Sequence, residues 1–352
     1  MKVLFVDKVL AGRCKAAPRG VELFNIRLLQ ELTAAGIDLT VILHPSWLDY
    51  LPDCPFTCLH STGNSVPDEI SATHMLRLVG REKFDVLLLG NVANRLIGFV
   101  VWARLLRICR NCLVIAHREP SMRVLLSKRV WPRTFVVAVN NQIESRFMRA
   151  GFRNTAVYYG IMDAEVFASY LRQSREGRVK FCVVGNLENA WKGADTAIAA
   201  FRAMPPDMQN QCELHLASYH KPRVFPEDNI IPYRWMAADE IHKFLSRMDV
   251  MVVPSRDEQV MRETFSQVMV QGMLSALPCI VTSLPILAEK LDCGGGLIAA
   301  DIQEISAAMM SLAESQDLRV RLGREARQTA KARYIWSTSH FINEFLQPAA
   351  AH

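Results

Sequence analysis

Short apolar runs alternate with longer amphipathic stretches along nearly the whole chain, and this alternation limits the available folds more than any other feature. KVLFVD is followed by GVELFNIRLLQELTAAG, spaced like a helix, and then by DLTVILH. DVLLLGN, RLIGFVVWARLLRI, CLVIAHR, RTFVVAVN and QIESRFMRAGF continue the series as strand, helix, strand, strand and helix. Strands apolar on both faces that alternate with helices form parallel sheets covered on both sides. After TAVYYGIMDAEVF the chain turns polar in ASYLRQSREGR, which reads as a linker. The alternation then restarts with VKFCVVG, GADTAIAAFRAM, CELHLAS, ADEIHKFLSRM and VMVVPS, a helix from Glu263, PCIVTS and GGLIAA. Three helical stretches close the chain. At 352 residues the chain is too long for one ordinary core and suits two. The expected fold is α/β, two Rossmann-like doubly wound domains facing a cleft, with ligands at the C-terminal ends of the strands.

Half the residues are hydrophobic, yet no uncharged apolar run reaches the roughly 18 residues needed to span a bilayer. The opening MKVLFVDKVLAGR reads as a first strand rather than a signal peptide. Nine cysteines at irregular spacing do not resemble a secreted disulfide framework, so a cytoplasmic protein is expected. Cys109 and Cys112 form one C-x-x-C with no second pair, and Cys112 opens an apolar run that looks like core. The net charge of +6 is unevenly placed. Residues 95–133 hold nine of the 41 cations against Glu119 alone, leaving 32 cations and 34 acids elsewhere. Within that stretch Trp102, Trp131 and several aliphatic residues accompany Arg104, Arg107, Arg123, Lys128 and Arg129. Such a mixture suits an anionic membrane surface, which makes peripheral attachment to the cytoplasmic membrane an expectation. An amphipathic helix packed on its sheet with arginines in water is the plain alternative for residues 96–108. No nucleic-acid motif accompanies the patch, so no nucleic-acid partner is expected.

Polar residues just after strands are the candidates for chemistry. VVGNLENAWKG puts Gly185 at a strand end and Lys192 at the opening of a helix, where the macrodipole disfavours a cation. An anion shared between Lys192 and the free N–H groups would resolve that conflict; an exposed lysine is the plain reading. Glu263 also stands at an expected helix start, where simple dipole compensation is one explanation. Gln271, eight residues on, is expected on much the same helix face. His117 ends the strand CLVIAH, where a structural histidine is the common case.

Together these positions resemble the retaining GT-B glycosyltransferases. Their hallmark PS…E-x-F-G-x-x-x-x-E-A-M-x-x-G-x-P-V stands here as PSRDEQVMRETFSQVMVQGMLSALPCIV. Glu263, Phe265, Met273 and Pro278 match, while Ser266 replaces the glycine and Gln271 the second glutamate. GNLENAWKG resembles G-R-L-x-x-x-K-G with Asn186 for the arginine, and PRGVE resembles the glycine loop G-G-x-E with Arg19 for its first glycine. His117 matches the family's histidine after an N-domain strand. YYGIMDAEVF resembles the link N-G-V-D-x-x-x-F, and ARYIWSTSHFINEF the final helix that crosses back to the N-domain.

The resemblance implies an N-terminal acceptor-binding domain over 1–165, a nucleotide-sugar-binding domain over 178–334 and a returning helix over 335–352. It implies a retaining glycosyl transfer from a nucleotide-diphosphate sugar, with Glu263 and His117 as catalytic residues. Gly20, Gly185, Asn186, Lys192, Phe265, Ser266, Gln267 and Gln271 are the implied donor contacts, Gln271 at the ribose through its amide. No metal and no further cofactor are expected. Base recognition is expected around Tyr233 to Met236. A glycan or lipid-linked acceptor fits the basic stretch, with lipopolysaccharide or surface-polysaccharide synthesis as the expected setting. Two alternatives stay open: a nucleotide-sugar 2-epimerase of the same fold, and a non-catalytic nucleotide-sugar or glycan binder in which the departures at Asn186, Ser266 and Gln271 have removed turnover.

Overall fold

A computed structural model describes residues 1–14, 18, 20–51, 55–61, 71–94, 96–168, 177–218, 225–234, 236, 240–257 and 263–351. The chain divides into two compact units, Met1–Met162 with Ser337–His352, and Asp163–Trp336.

The first unit is built on a seven-stranded parallel sheet of β1 (Lys2–Val6), β2 (Asp38–Leu43), β3 (Thr57–His60), β4 (Phe84–Leu89), β5 (Cys109–Ala116), β6 (Arg133–Ala138) and β7 (Asn154–Val157). Its order is β3-β2-β1-β4-β5-β6-β7, so the winding reverses between β1 and β4. The central strands are buried on both faces, which is why KVLFV and DVLLL read as uninterrupted apolar runs. Cys109 and Cys112 lie in β5 as buried free thiols, Cys109 pushed up to about 12 by burial. They are core residues. The end of the chain packs on the same unit. Tyr158 Oη accepts from Ser337 N at 2.7 Å, Thr338 Oγ1 donates to Glu31 Oε2 at 2.8 Å, and Phe345 packs 5.8 Å from Phe135.

The second unit holds six parallel strands, β8 (Val179–Gly185), β9 (Cys212–Ser218), β10 (Ile230–Tyr233), β11 (Val250–Val253), β12 (Cys279–Val281) and β13 (Gly296–Ile298), in the order β10-β9-β8-β11-β12-β13. Here the winding reverses between β8 and β11. The helices Ala194–Arg202 and Ile302–Glu314 bury Ile198, Phe201, Ile305 and Met309 against the strands. Each fully buried side chain of this size contributes about 1.5–3 kcal/mol.

Two expectations are corrected. The helix read from Glu263 begins at Gln267, because Ser266 adopts a left-handed conformation (φ 60°) that a right-handed helix cannot continue through. The strands β3, β7 and β10 had no counterpart in the sequence reading. Each lies at a sheet edge and is only partly buried, so its sequence lacks the continuous apolar run of a central strand.

Candidate functional site

The reversal point of the second sheet carries the densest group of candidate residues. β8 ends at Gly185, whose φ of 152° favours glycine. After Asn186 the chain makes a short helical turn, Ala190–Lys192, and then Gly193 at φ 69° starts the helix Ala194–Arg202. A Cβ on Gly193 would lie 1.9 Å from the carbonyl oxygen of Pro254, just past the end of β11. Glycine is therefore required for the two strand ends to approach, and that approach carries Lys192 to its partner.

The partner is Glu263. Lys192 Nζ donates to Glu263 Oε2 at 2.6 Å, with both side chains mostly buried. Lys192 also lies 4.3 Å from the Trp191 ring centre, a cation–π contact. Glu263 Oε1 accepts from Ser266 N at 3.1 Å. The carboxylate thus ties the lysine turn to the left-handed turn that opens the Gln267–Leu274 helix. Glu263 lies four residues before that helix and caps its entry, so it does not share a helical face with Gln271. Gln267 and Gln271 do, at i and i+4.

Four buried polar atoms around this arrangement have no hydrogen-bond partner among the described residues: Asn186 Oδ1, Trp191 Nε1, Ser255 Oγ and Ser266 Oγ. Leaving such a group unpaired costs about 1–3 kcal/mol, so their clustering at a strand-order reversal marks a place built for a polar ligand. Phe265 is buried, with its ring 5.8 Å from Tyr334 and the buried Lys290 ammonium 4.5 Å from its centre.

In the first unit, Gly20 opens the helix Gly20–Ala34 at φ 39°. His117 follows β5 and is buried edge-on to Phe24 at 4.9 Å and to Tyr159 at 5.6 Å. Burial, helped by the charge of Arg118, holds it down at about 3, so it is neutral at ordinary pH. Its Nε2 has no hydrogen-bond partner among the described residues. Sequence reasoning missed two neighbours of the same sheet edge. Asp7 follows β1 with Oδ1 accepting from Val9 N and Leu10 N, and burial raises it from 3.8 to about 6. Asn25 is fully buried with both amide atoms unpartnered among the described residues, and it sits where a Cβ on Gly90 would be 2.7 Å away. Asp7 was open to the rule that flagged His117, a polar residue at a strand end. Asn25 and Lys290 were not, since Asn25 lies inside a helix and Lys290 sits in the charged stretch EKLD, neither of them at a strand end.

Arg19, Arg95 and Trp235 lie outside the described residues. In the basic stretch, Trp131 is 4% exposed and is a core residue, not part of a surface patch. It donates to Ser127 Oγ and packs on Phe152, and Arg104 donates to its carbonyl oxygen at 2.7 Å. Trp102, Leu105, Leu106, Met122, Leu126 and Val130 are exposed, Leu126 to 76%. Met122, Leu125 and Leu126 line an open cavity of about 450 Å³ with Arg146, Arg149 and Ala150. No helix among the described residues is long and apolar enough to cross a membrane.

Residues 178–315 match the family described as Glycosyl transferases group 1. Among curated proteins none matches the sequence. The chain is similar along its whole length to Anabaena Alr3699/HepE, solved in complex with UDP and glucose, at 16% identity and a TM-score of 0.71, covering 100% of both chains. Sucrose-phosphate synthase from Thermosynechococcus elongatus is similar at 16% identity and a TM-score of 0.68, with 100% of this chain and 99% of that one covered. WaaG, a glycosyltransferase involved in lipopolysaccharide biosynthesis, is similar at 12% identity and a TM-score of 0.59, with 99% and 98% covered. Residues 178–315 are therefore similar to the group 1 glycosyltransferase family, in a chain that has the GT-B fold.

Proposed function

We propose that the protein transfers a sugar from a nucleotide-diphosphate donor to a glycan or lipid-linked acceptor, with retention of anomeric configuration. The observation that carries this reading is the Lys192–Glu263–Ser266 arrangement at the reversal point of the second sheet, ringed by unpartnered polar atoms. Transfer breaks the bond from the anomeric carbon to phosphate and leaves a diphosphate of growing negative charge. Cations and N–H donors placed where that charge develops lower the barrier. Lys192 and the N–H groups at the start of the Gln267–Leu274 helix supply them in this scheme. A diphosphate that takes the Lys192 ammonium releases Glu263 from the ion pair, and the carboxylate then accepts from donor hydroxyls. Gln267 and Gln271, on one helix face, serve the nucleoside, Gln271 at the ribose hydroxyls. The neutral His117, in the first unit, contacts the acceptor through Nε2 without acting as a charged acid.

The solved relative with UDP and glucose supports a nucleotide-sugar donor, and the similarity to WaaG supports a surface-glycan setting. The scheme uses no metal, so transfer should survive EDTA. The exposed apolar and cationic side chains of the first unit support a membrane-borne acceptor. The deciding experiment is a thermal-shift screen of UDP, GDP, ADP and their sugar derivatives, since a ligand of the folded state raises the melting temperature by mass action. A rise with one nucleoside diphosphate and its sugars is expected. No rise with any of them would overturn the donor reading.

A further inference from the structure

Lys290 lies in the short turn Glu289–Leu291 and is 1% exposed. Its Nζ donates to the carbonyl oxygen of Ile286 at 3.1 Å, its one hydrogen bond among the described residues. The ammonium otherwise faces aromatic rings, 4.5 Å from the centre of Phe265 and 5.3 Å from that of Tyr334, which pack edge to face. Burying an ammonium with a single hydrogen bond is costly, and an apolar side chain of the same length would fill this space with less penalty. What the charge contacts is the segment that makes the site. Phe265 stands between Glu263, held by Lys192, and Ser266, whose left-handed turn starts the Gln267–Leu274 helix.

We propose that Lys290 is a positioning residue of the nucleotide-sugar site: its buried ammonium grips the Phe265 ring and so sets the Glu263 carboxylate and the amides of Ser266 and Gln267. The inference rests on the donor reading given above. Two carboxylates face the ammonium, Glu289 from its own turn and Glu263 from the loop, and both favour its charged form. Burial outweighs them and lowers Lys290 from 10.5 to about 8. Tyr334, packed on it from the end of the Gln316–Arg333 helix, is pushed up to about 12 and stays neutral in that range. Alkali should therefore loosen the site by discharging Lys290.

The test uses the whole protein and the nucleoside diphosphate that binds tightest among UDP, GDP and ADP. Calorimetric affinities are measured for the wild type, Lys290→Met and Lys290→Arg, beside the melting temperature of each without ligand. Lys290→Met is expected to melt no lower than the wild type, because a buried charge is lost and length is kept. It is expected to bind the nucleotide at least ~fivefold more weakly, as loss of a desolvated cation–π contact implies. Lys290→Arg should recover part of the affinity. Wild-type affinity should weaken as pH passes about 8, and this decline should be missing in Lys290→Met. Equal affinity in wild type and Lys290→Met, or an alkaline decline that persists in the variant, overturns the proposal and leaves the donor reading intact. A variant that loses affinity only together with melting temperature makes Lys290 a structural residue and also overturns it. Should Lys290→Met fail to fold, the pH series on the wild type decides alone, and a flat profile is then the negative result. A wild type that binds no nucleoside diphosphate overturns donor reading and proposal together.

Discussion

Single residues at this site do two jobs, and substitutions separate them. Lys192→Ala leaves the mostly buried Glu263 carboxylate without its ion-pair partner. Stability should fall by about 3–5 kcal/mol, as for a broken buried pair, and nucleoside-diphosphate affinity should fall with it. Glu263→Gln keeps one acceptor oxygen, enough for Lys192 Nζ or Ser266 N but not both, so the fold should survive with a lowered melting temperature while turnover drops at least ~tenfold, about 1.4 kcal/mol of barrier. Melting curves and steady-state rates on the two variants check this, and near-normal turnover in Glu263→Gln would remove Glu263 from the chemistry. Asp7 makes a different prediction. Its carboxyl is raised from 3.8 to about 6 in the folded chain. Between those values the folded state holds a proton the unfolded state has lost, so stability from this group is present below pH 3.8 and is lost as pH rises through about 6. Asp7→Asn keeps an oxygen for Val9 N and Leu10 N and removes the buried charge. Its melting temperature at pH 7 should exceed that of the wild type, with the difference vanishing in acid. A lower melting temperature at pH 7 would show that the charge has a partner to serve.

At the scale of elements, the site depends on two turns that ordinary helix and strand propensities would not produce. The first is Gly193, where any side chain meets the Pro254 carbonyl oxygen. The second is Ser266, a non-glycine residue at φ 60° whose buried hydroxyl has no partner among the described residues. Glycine at Ser266 would relieve a left-handed penalty of about 1 kcal/mol and remove the orphan group. Ser266→Gly should therefore raise the melting temperature and weaken nucleotide affinity, because the hydroxyl is one of the polar groups left for the ligand, while Gly193→Ala should lower both. A Ser266→Gly protein that keeps full affinity would mean the hydroxyl does not contact the nucleotide. The central strands and the long helices of both units were legible as apolar runs and spaced apolar stripes. The start of the Gln267–Leu274 helix was not, since the apolar spacing runs on through residues that the left-handed turn excludes from the helix. The edge strands β3, β7 and β10 escaped notice because an edge needs less apolar sequence than a centre.

Across the whole molecule the charge is lopsided, with residues 95–133 holding nine cations against one acid. The structure divides that stretch. Trp131 belongs to the core, whereas Trp102, Arg104, Met122, Leu126, Arg123 and Arg129 are exposed. Sedimentation with vesicles containing anionic lipid should follow, and neutral vesicles should leave the protein in solution. Raising salt should release it, since the screening length shrinks from about 10 Å at 0.1 M to about 3 Å at 1 M. Replacing Arg123, Lys128 and Arg129 with Ser should abolish sedimentation and spare nucleotide binding; equal sedimentation with both vesicle types would sink the electrostatic reading. The sequence by itself determined the parallel α/β class, the division into two cores and the identity of Lys192 and Glu263 as candidates. Each of these is a local property, since periodicity and strand-end polarity are written in neighbouring residues. Only the tertiary structure decided that Lys192 and Glu263 are partners, that Trp131 is core, and that Asp7, Asn25 and Lys290 are buried polar groups. Pairing and burial come from segments far apart in the chain, brought together by strand order and by the approach that Gly193 permits.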